Sequence, residues 1–118
     1  MTTAIAQEES RNLVSTEDNN KPHMLKHETL KYLRKVSKDF GVKKTILFGS
    51  CLYKPEEETG DIDLAVEGIR KRVLYNFVGE LLLSKELNKN VDVVDLTDNA
   101  PINHIIRDEG VVIYEEKT

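Results

Sequence analysis

The sequence predicts a small α/β domain of the α+β kind, with about four strands in a mixed sheet and helices packed on it. Three observations predict this class. Four short apolar or alternating runs bounded by turn residues, Lys44 to Phe48, Asp61 to Val66, Val91 to Leu96 and Val111 to Tyr114, read as strands. The longer segments around them carry apolar residues at helical spacing. A chain of 118 residues supports one modest core and no more.

Met1 to Pro22 is rich in Thr, Ser, Asn, Gln and Glu without an apolar period, so residues 1–22 are expected to be a flexible extension and 23–118 the folded domain. From His23 to Phe40, Leu30, Leu33, Val36 and Phe40 fall on one helical face, and Gly41 stands where a helix stops. Strand Lys44 to Phe48 ends at Gly49-Ser50, which opens a short helix. Pro55 to Gly60 reads as an exposed acidic loop.

Strand Asp61 to Val66 alternates, with Ile62, Leu64 and Val66 on one face and Asp61, Asp63 and Ala65 on the other, so the carboxylates point away from the packed side. Gly68 ends it. A long helix from Ile69 to Leu87 follows, with Val73, Phe77 and Leu81 joined by Leu74, Val78 and Leu82. Leu81-Leu82-Leu83 widens its apolar surface, which implies either deep burial or a contact surface for a partner. Asn88-Lys89-Asn90 breaks the helix before strand Val91 to Leu96. Asn99-Ala100-Pro101 starts another helix, buried through Ile102, Ile105 and Ile106 and capped by Gly110, before the last strand.

The net charge of −4 argues against a general nucleic-acid binder, which needs a basic surface to release counterions. Arg70-Lys71-Arg72 reads as a solvated first helical turn. No apolar run approaches membrane-spanning length, and Met1 to Ser10 lacks the layout of a signal peptide. With Cys51 as the only cysteine there is no internal disulfide, and a cytoplasmic location is expected.

The stretch GSCLYKPEEETGDID, from Gly49 to Asp63, carries the chemistry. Asp61 and Asp63, two apart in a strand, project side by side, and like charges so placed call for a divalent cation between them. A Gly-Ser turn with backbone N–H groups aimed outward seats a phosphate. Asp92, inside the third strand between Val91 and Val93, is the better candidate for the third carboxylate that usually assists a two-metal transfer, with a solvated strand residue as the alternative, whereas Asp95 falls at the strand end on the opposite face, where a turn or solvent satisfies it.

Other reactive residues read plainly. Cys51 is a small packed thiol, since no His lies in the strands of the site. His23 and His27 have zinc-ligand spacing without a third ligand, which leaves them as exposed helix residues. Tyr53 either stacks on a nucleobase or packs against its own loop.

The Gly-Ser and Asp-x-Asp pair at this spacing, the later VDVVDL strand and the closing IIRDEGVVIYE resemble the minimal nucleotidyltransferases of the polymerase-β-like superfamily, over about residues 25 to 116. The resemblance implies the polymerase-β-like nucleotidyltransferase fold. It implies that Gly49 and Ser50 hold the triphosphate of ATP and that Asp61, Asp63 and Asp92 are the catalytic carboxylates and bind Mg²⁺ in a two-metal site. Such proteins are commonly antitoxins paired with a helical HEPN-domain ribonuclease toxin, to which they transfer AMP at a tyrosine. Members often carry arginines just after Gly-Ser. Here Cys51, Leu52 and Tyr53 follow, and only Lys54 supplies a cation for the nucleotide. Two other functions remain open at this point: an antitoxin that neutralises its partner by binding alone, and transfer to a small molecule, disfavoured because one short domain has no second half with which to build an acceptor pocket.

Overall fold

The computed structural model describes residues 23–87, 89–97 and 100–117. The expected extension, 1–22, lies outside the described residues, as does Asn99. In chain order the elements are α1 (His27–Asp39), β1 (Lys44–Phe48), 3₁₀ turns at Gly49–Leu52 and Glu56–Glu58, β2 (Asp61–Glu67), α2 (Lys71–Leu82), β3 (Asn90–Asp95), α3 (Pro101–Glu109) and β4 (Val111–Glu115). The strands form one sheet in the order β3-β2-β1-β4. β1 runs antiparallel to β2 and β4, while β2 and β3 are parallel, joined by a crossover that contains α2. The sheet is mixed and four-stranded, as the sequence predicts.

The two faces of the sheet are covered differently. On the first, Leu47, Ile62, Leu64, Val66, Val91 and Ile113 meet Leu30, Leu33 and Val36 of α1 and Phe77 and Leu81 of α2 in one continuous apolar core. Phe40 and Phe77 add an edge-to-face ring contact at 5.8 Å. On the second face a smaller cluster, Ile46, Ala65, Leu96 and Ile106, sits under α3. Gly110 ends α3 at an ordinary φ of −74°, not in the left-handed conformation of a glycine cap. Its reason is space: a Cβ there would collide with Ile46 and with the Ile106 carbonyl, so glycine lets α3 close down on β1.

Several expectations are corrected. α1 starts at His27, not His23, because the chain before it is extended: Met24 N–H donates to the Cys51 carbonyl (2.9 Å) and the Met24 carbonyl accepts from Glu56 N–H (3.3 Å). α2 spans Lys71–Leu82 rather than Ile69 to Leu87. Ile69 is buried ahead of it, and beyond it the Ser84 hydroxyl accepts from Glu86 N–H (2.9 Å), a local bond that competes with helix continuation.

Leu82 and Leu83 are exposed, so of the two readings of that wide apolar surface, burial fails. Ile102 and Ile105 are also largely exposed, and Asn103 and Ile106 form the buried side of α3. The loop after the Gly-Ser turn is not wholly exposed either, because Glu56 is buried. Its carboxylate accepts from Lys26 N–H (3.0 Å) and from the Thr29 hydroxyl (2.9 Å), and so caps α1 from another segment, where the first N–H groups of a helix favour an anion.

Candidate functional site

The cover over the second face is incomplete, and the predicted carboxylates stand where it stops. Period two puts Asp61, Asp63 and Ala65 on that face of β2. Ala65 is buried under α3, whereas Asp61 and Asp63 at the start of the strand remain partly open. Parallel pairing sets Asp63 directly beside Asp92 of β3. In-register neighbours on adjacent strands lie about 5 Å apart and share a face, so the pairing delivers the third carboxylate. On the other side Phe48 pairs with Asp63, which places the end of β1 and the following Gly-Ser turn against the acidic group.

The electrostatics follow from this packing. The Asp63 carboxyl is held above its usual range, first by burial and then by the charges of Asp92 and Asp61, with no positive group among the described residues offsetting them. Asp95 falls away from the group as parity predicts, and one of its carboxylate oxygens accepts from Thr97 N–H (2.9 Å) in a local turn.

The Gly49–Leu52 turn is built against Asp63. Gly49 has φ of 82°, a left-handed conformation natural to glycine, and a Cβ on it would collide with the Asp63 carboxylate. Gly49 therefore does two things, turning the chain sharply and leaving room for the carboxylate. Ser50 is exposed, and its carbonyl accepts from Tyr53 and Lys54 N–H, both at 2.9 Å. The expected short helix is a single 3₁₀ turn of four residues, so any anion here is met by individual N–H groups rather than by a helix macrodipole. Lys54 is exposed at the far end of the turn, and no described interaction draws it to the carboxylates. Cys51 is buried with its thiol near the Thr59 hydroxyl (3.5 Å), and burial pushes its pKa up, which makes it an inert packed thiol.

The carboxylates fit a hard divalent cation. Their donors are all oxygen, their mutual repulsion meets no compensating cation among the described residues, and Asp63 is only partly buried, with a carboxylate oxygen beside the turn. Among the described residues no three His, Cys, Asp or Glu side chains form an ion cage by themselves. Magnesium is ordinarily held by one or two carboxylates completed by substrate phosphates, so an open acidic corner suits it better than a closed cage.

One feature of the site was not legible in the sequence. Phe48, Gly49, Leu52 and Tyr53 face Ile102, Ile105, Ile106 and Glu109 of α3 across a groove of ≈ 210 Å³. Its lining comes from segments some fifty positions apart. The available signal, three isoleucines on α3, reads equally well as core.

Comparison with known proteins agrees with this architecture. The family described as "Polymerase beta, Nucleotidyltransferase" matches residues 28–118. No curated protein matched the chain. Among solved structures, a mutant of the toxin-antitoxin pair MntA-HpeT carrying two Asp→Glu substitutions aligns with a TM-score of 0.60 at 18% identity, covering 75% of this chain and 74% of that one. A toxin-antitoxin structure with AMP-PNP aligns with a TM-score of 0.55 at 21% identity, covering 76% and 74%. At these identities the two structures speak for the fold. A mixed four-stranded sheet with three described helices is the polymerase-β-like arrangement that the resemblance implies.

Proposed function

We propose that this chain, which belongs to the polymerase beta nucleotidyltransferase family, transfers AMP from ATP to a tyrosine of a protein partner, a helical HEPN-type toxin that it thereby neutralises. The observation that carries the reading is the register pair of Asp63 with Asp92 beside Asp61, set against the backbone of Gly49. The structural neighbours support the context, since one is a toxin-antitoxin pair altered at two Asp residues and the other a toxin-antitoxin structure with AMP-PNP.

In this reading Asp61, Asp63 and Asp92 hold magnesium. When bound, it supplies neutralisation of the phosphate oxygens and activation of the acceptor hydroxyl. The Gly49–Ser50 backbone receives the triphosphate, and the exposed Lys54 adds a single mobile charge. The partner's phenol oxygen displaces pyrophosphate from the α-phosphorus and loses its proton, leaving a phosphodiester. The added charge and bulk then stand where an RNA phosphate would bind on the toxin.

The test is incubation of chain and partner with ATP and Mg²⁺, read by intact mass. The partner gains one nucleotide mass per transfer, and the Asp61→Asn and Asp63→Asn variants fall by roughly 10²–10³-fold in rate, the usual cost of removing a charge-stabilising group. An unchanged partner mass at high enzyme, or equal modification by the two variants, would reject transfer.

A second reading, neutralisation by binding alone, is favoured by the exposed Tyr75 and Leu82 of α2 and Leu83 just beyond its end. It requires that a chain lacking all three carboxylates still forms the complex and still protects cells. Failure of that triple variant to protect cells counts against it.

A further inference from the structure

We infer that the groove between the Gly49–Leu52 turn and α3 is the seat of the nucleobase, and that it takes a purine with an exocyclic amine. The inference rests on the nucleotide-transfer reading and names the part of the substrate this chain grips outside the phosphates. Three observations support it.

First, the groove is continuous with the phosphate seat. Gly49 packs on Asp63 from one side and lines the groove from the other, and Phe48 is at once the register partner of Asp63 and a groove wall. A nucleotide with its phosphates at the turn has its base within reach of this groove, which Gly49 itself borders. Second, its size is selective. At ≈ 210 Å³ it lies below the roughly 300 Å³ where pockets for drug-sized ligands begin, so it admits one flat ring system and not a whole nucleotide.

Third, its walls are apolar surface that the fold leaves uncovered. Ile102 and Ile105 are 52% and 49% exposed on a helix whose opposite side is buried, and the Tyr53 ring at the mouth is 72% exposed. Of the two roles open to Tyr53, packing against its own loop is therefore not the one it plays. A free aromatic ring beside aliphatic walls is a stacking platform for a base. Glu109 is the only charged lining residue among the described residues, and as an acceptor-only carboxylate it favours a base edge that presents an N–H₂ group over one that presents a carbonyl.

This arrangement also accounts for the missing arginines. A chain with little positive charge after Gly-Ser holds its nucleotide from the base end, through stacking and apolar contact, as well as through the phosphates. Stacking on an aromatic ring is worth roughly 5- to 100-fold in affinity, comparable to the contact an arginine would have supplied.

The experiment uses the full chain with adenosine, which has neither phosphate nor need of metal, titrated in the presence of a chelator and read by ligand-observed NMR. Saturable binding is expected. It should weaken at least tenfold in an Ile102→Ser, Ile105→Ser double variant and severalfold in Tyr53→Ala, at a ring 72% exposed whose loss leaves the folded core untouched. Inosine, whose amine is replaced by a carbonyl, should bind more weakly than adenosine, and Glu109→Gln should narrow that gap.

If transfer to the partner is never detected yet adenosine binding follows this pattern, the groove assignment stands while the function proposed above falls. Absence of saturable adenosine binding, or equal adenosine binding by the wild type, the double variant and Tyr53→Ala, overturns the assignment. So does a double variant that binds nucleotide normally but no longer binds the protein partner, which would make the groove a protein contact.

Discussion

The two faces of the sheet are made from the same four strands and differ in what covers them. On one face two helices lie over an unbroken apolar layer from Val91 to Ile113. On the other a single nine-residue helix covers Ile46 and Ala65 and then ends, leaving Asp61, Asp63 and Asp92 beyond it. Alternation along β2 alone does not separate the two environments, since Asp63 and Ala65 share a face. The length of the covering helix separates them. A short α3 turns one strand face into core at one end and an acidic corner at the other.

The comparison can be broken most severely on the covered face. Phe77 is fully buried in the larger core and meets Phe40 edge to face. Phe77→Ala is expected to cost about 3–5 kcal/mol in chemical denaturation. A loss below about 1 kcal/mol would mean that this core is not the main source of stability.

Next in size is Gly49→Ala. A side chain there meets a left-handed backbone and the Asp63 carboxylate together, so stability should fall by about 1–2 kcal/mol and any nucleotide transfer should fall with it. Equal stability with full activity would show the turn to be independent of the carboxylates.

Removal of the buried carboxylate that caps α1, by Glu56→Gln, is worth about 1 kcal/mol of unfolding free energy, with helix α1 the first element to lose amide protection in hydrogen exchange.

The smallest effect has the opposite sign. Asp63 is held above the usual carboxylate range, so the folded chain takes up a proton that the unfolded chain does not. Its contribution to stability is complete below the ordinary carboxylate pKa and is lost as pH rises through the raised value. In chelator at neutral pH, Asp63→Asn should therefore raise Tm by up to a few degrees and flatten the pH dependence of Tm in the weakly acidic range. A lower Tm for this variant would show that the carboxylate has a stabilising partner.

Much of this was legible in the sequence, and what was not has a common physical cause. Strand existence, the shared face of Asp61 and Asp63, and the turn at Gly49-Ser50 are local matters of period and backbone preference. Parity also placed Asp92 and Asp95 on opposite faces. The pairing of Asp63 with Asp92 was not legible, because register between strands joined by a crossover is set by packing of the whole sheet.

Glu56 read as loop acidity because its partners, the backbone of Lys26 and the hydroxyl of Thr29, lie 30 and 27 positions earlier. Ile102 and Ile105 read as core because an apolar stripe at helical spacing says that a helix face is apolar and not what meets it. The early end of α2 was missed for a smaller reason: Ser84 diverts the chain before the more conspicuous Asn-Lys-Asn break.

The parallel pairing of β2 and β3 has a kinetic consequence. Antiparallel partners such as β1 and β2 close a short loop, but β3 reaches β2 only after the segment containing α2 has crossed over, at a greater loop-closure cost. The carboxylates of Asp63 and Asp92 thus meet only once that crossover has formed. A chain in which it has not formed is spared their repulsion. Charge relief at this corner should slow unfolding if β3 docks after the folding transition state and speed folding if it docks before it, so the two rates of an Asp92→Asn variant report when the acidic corner closes.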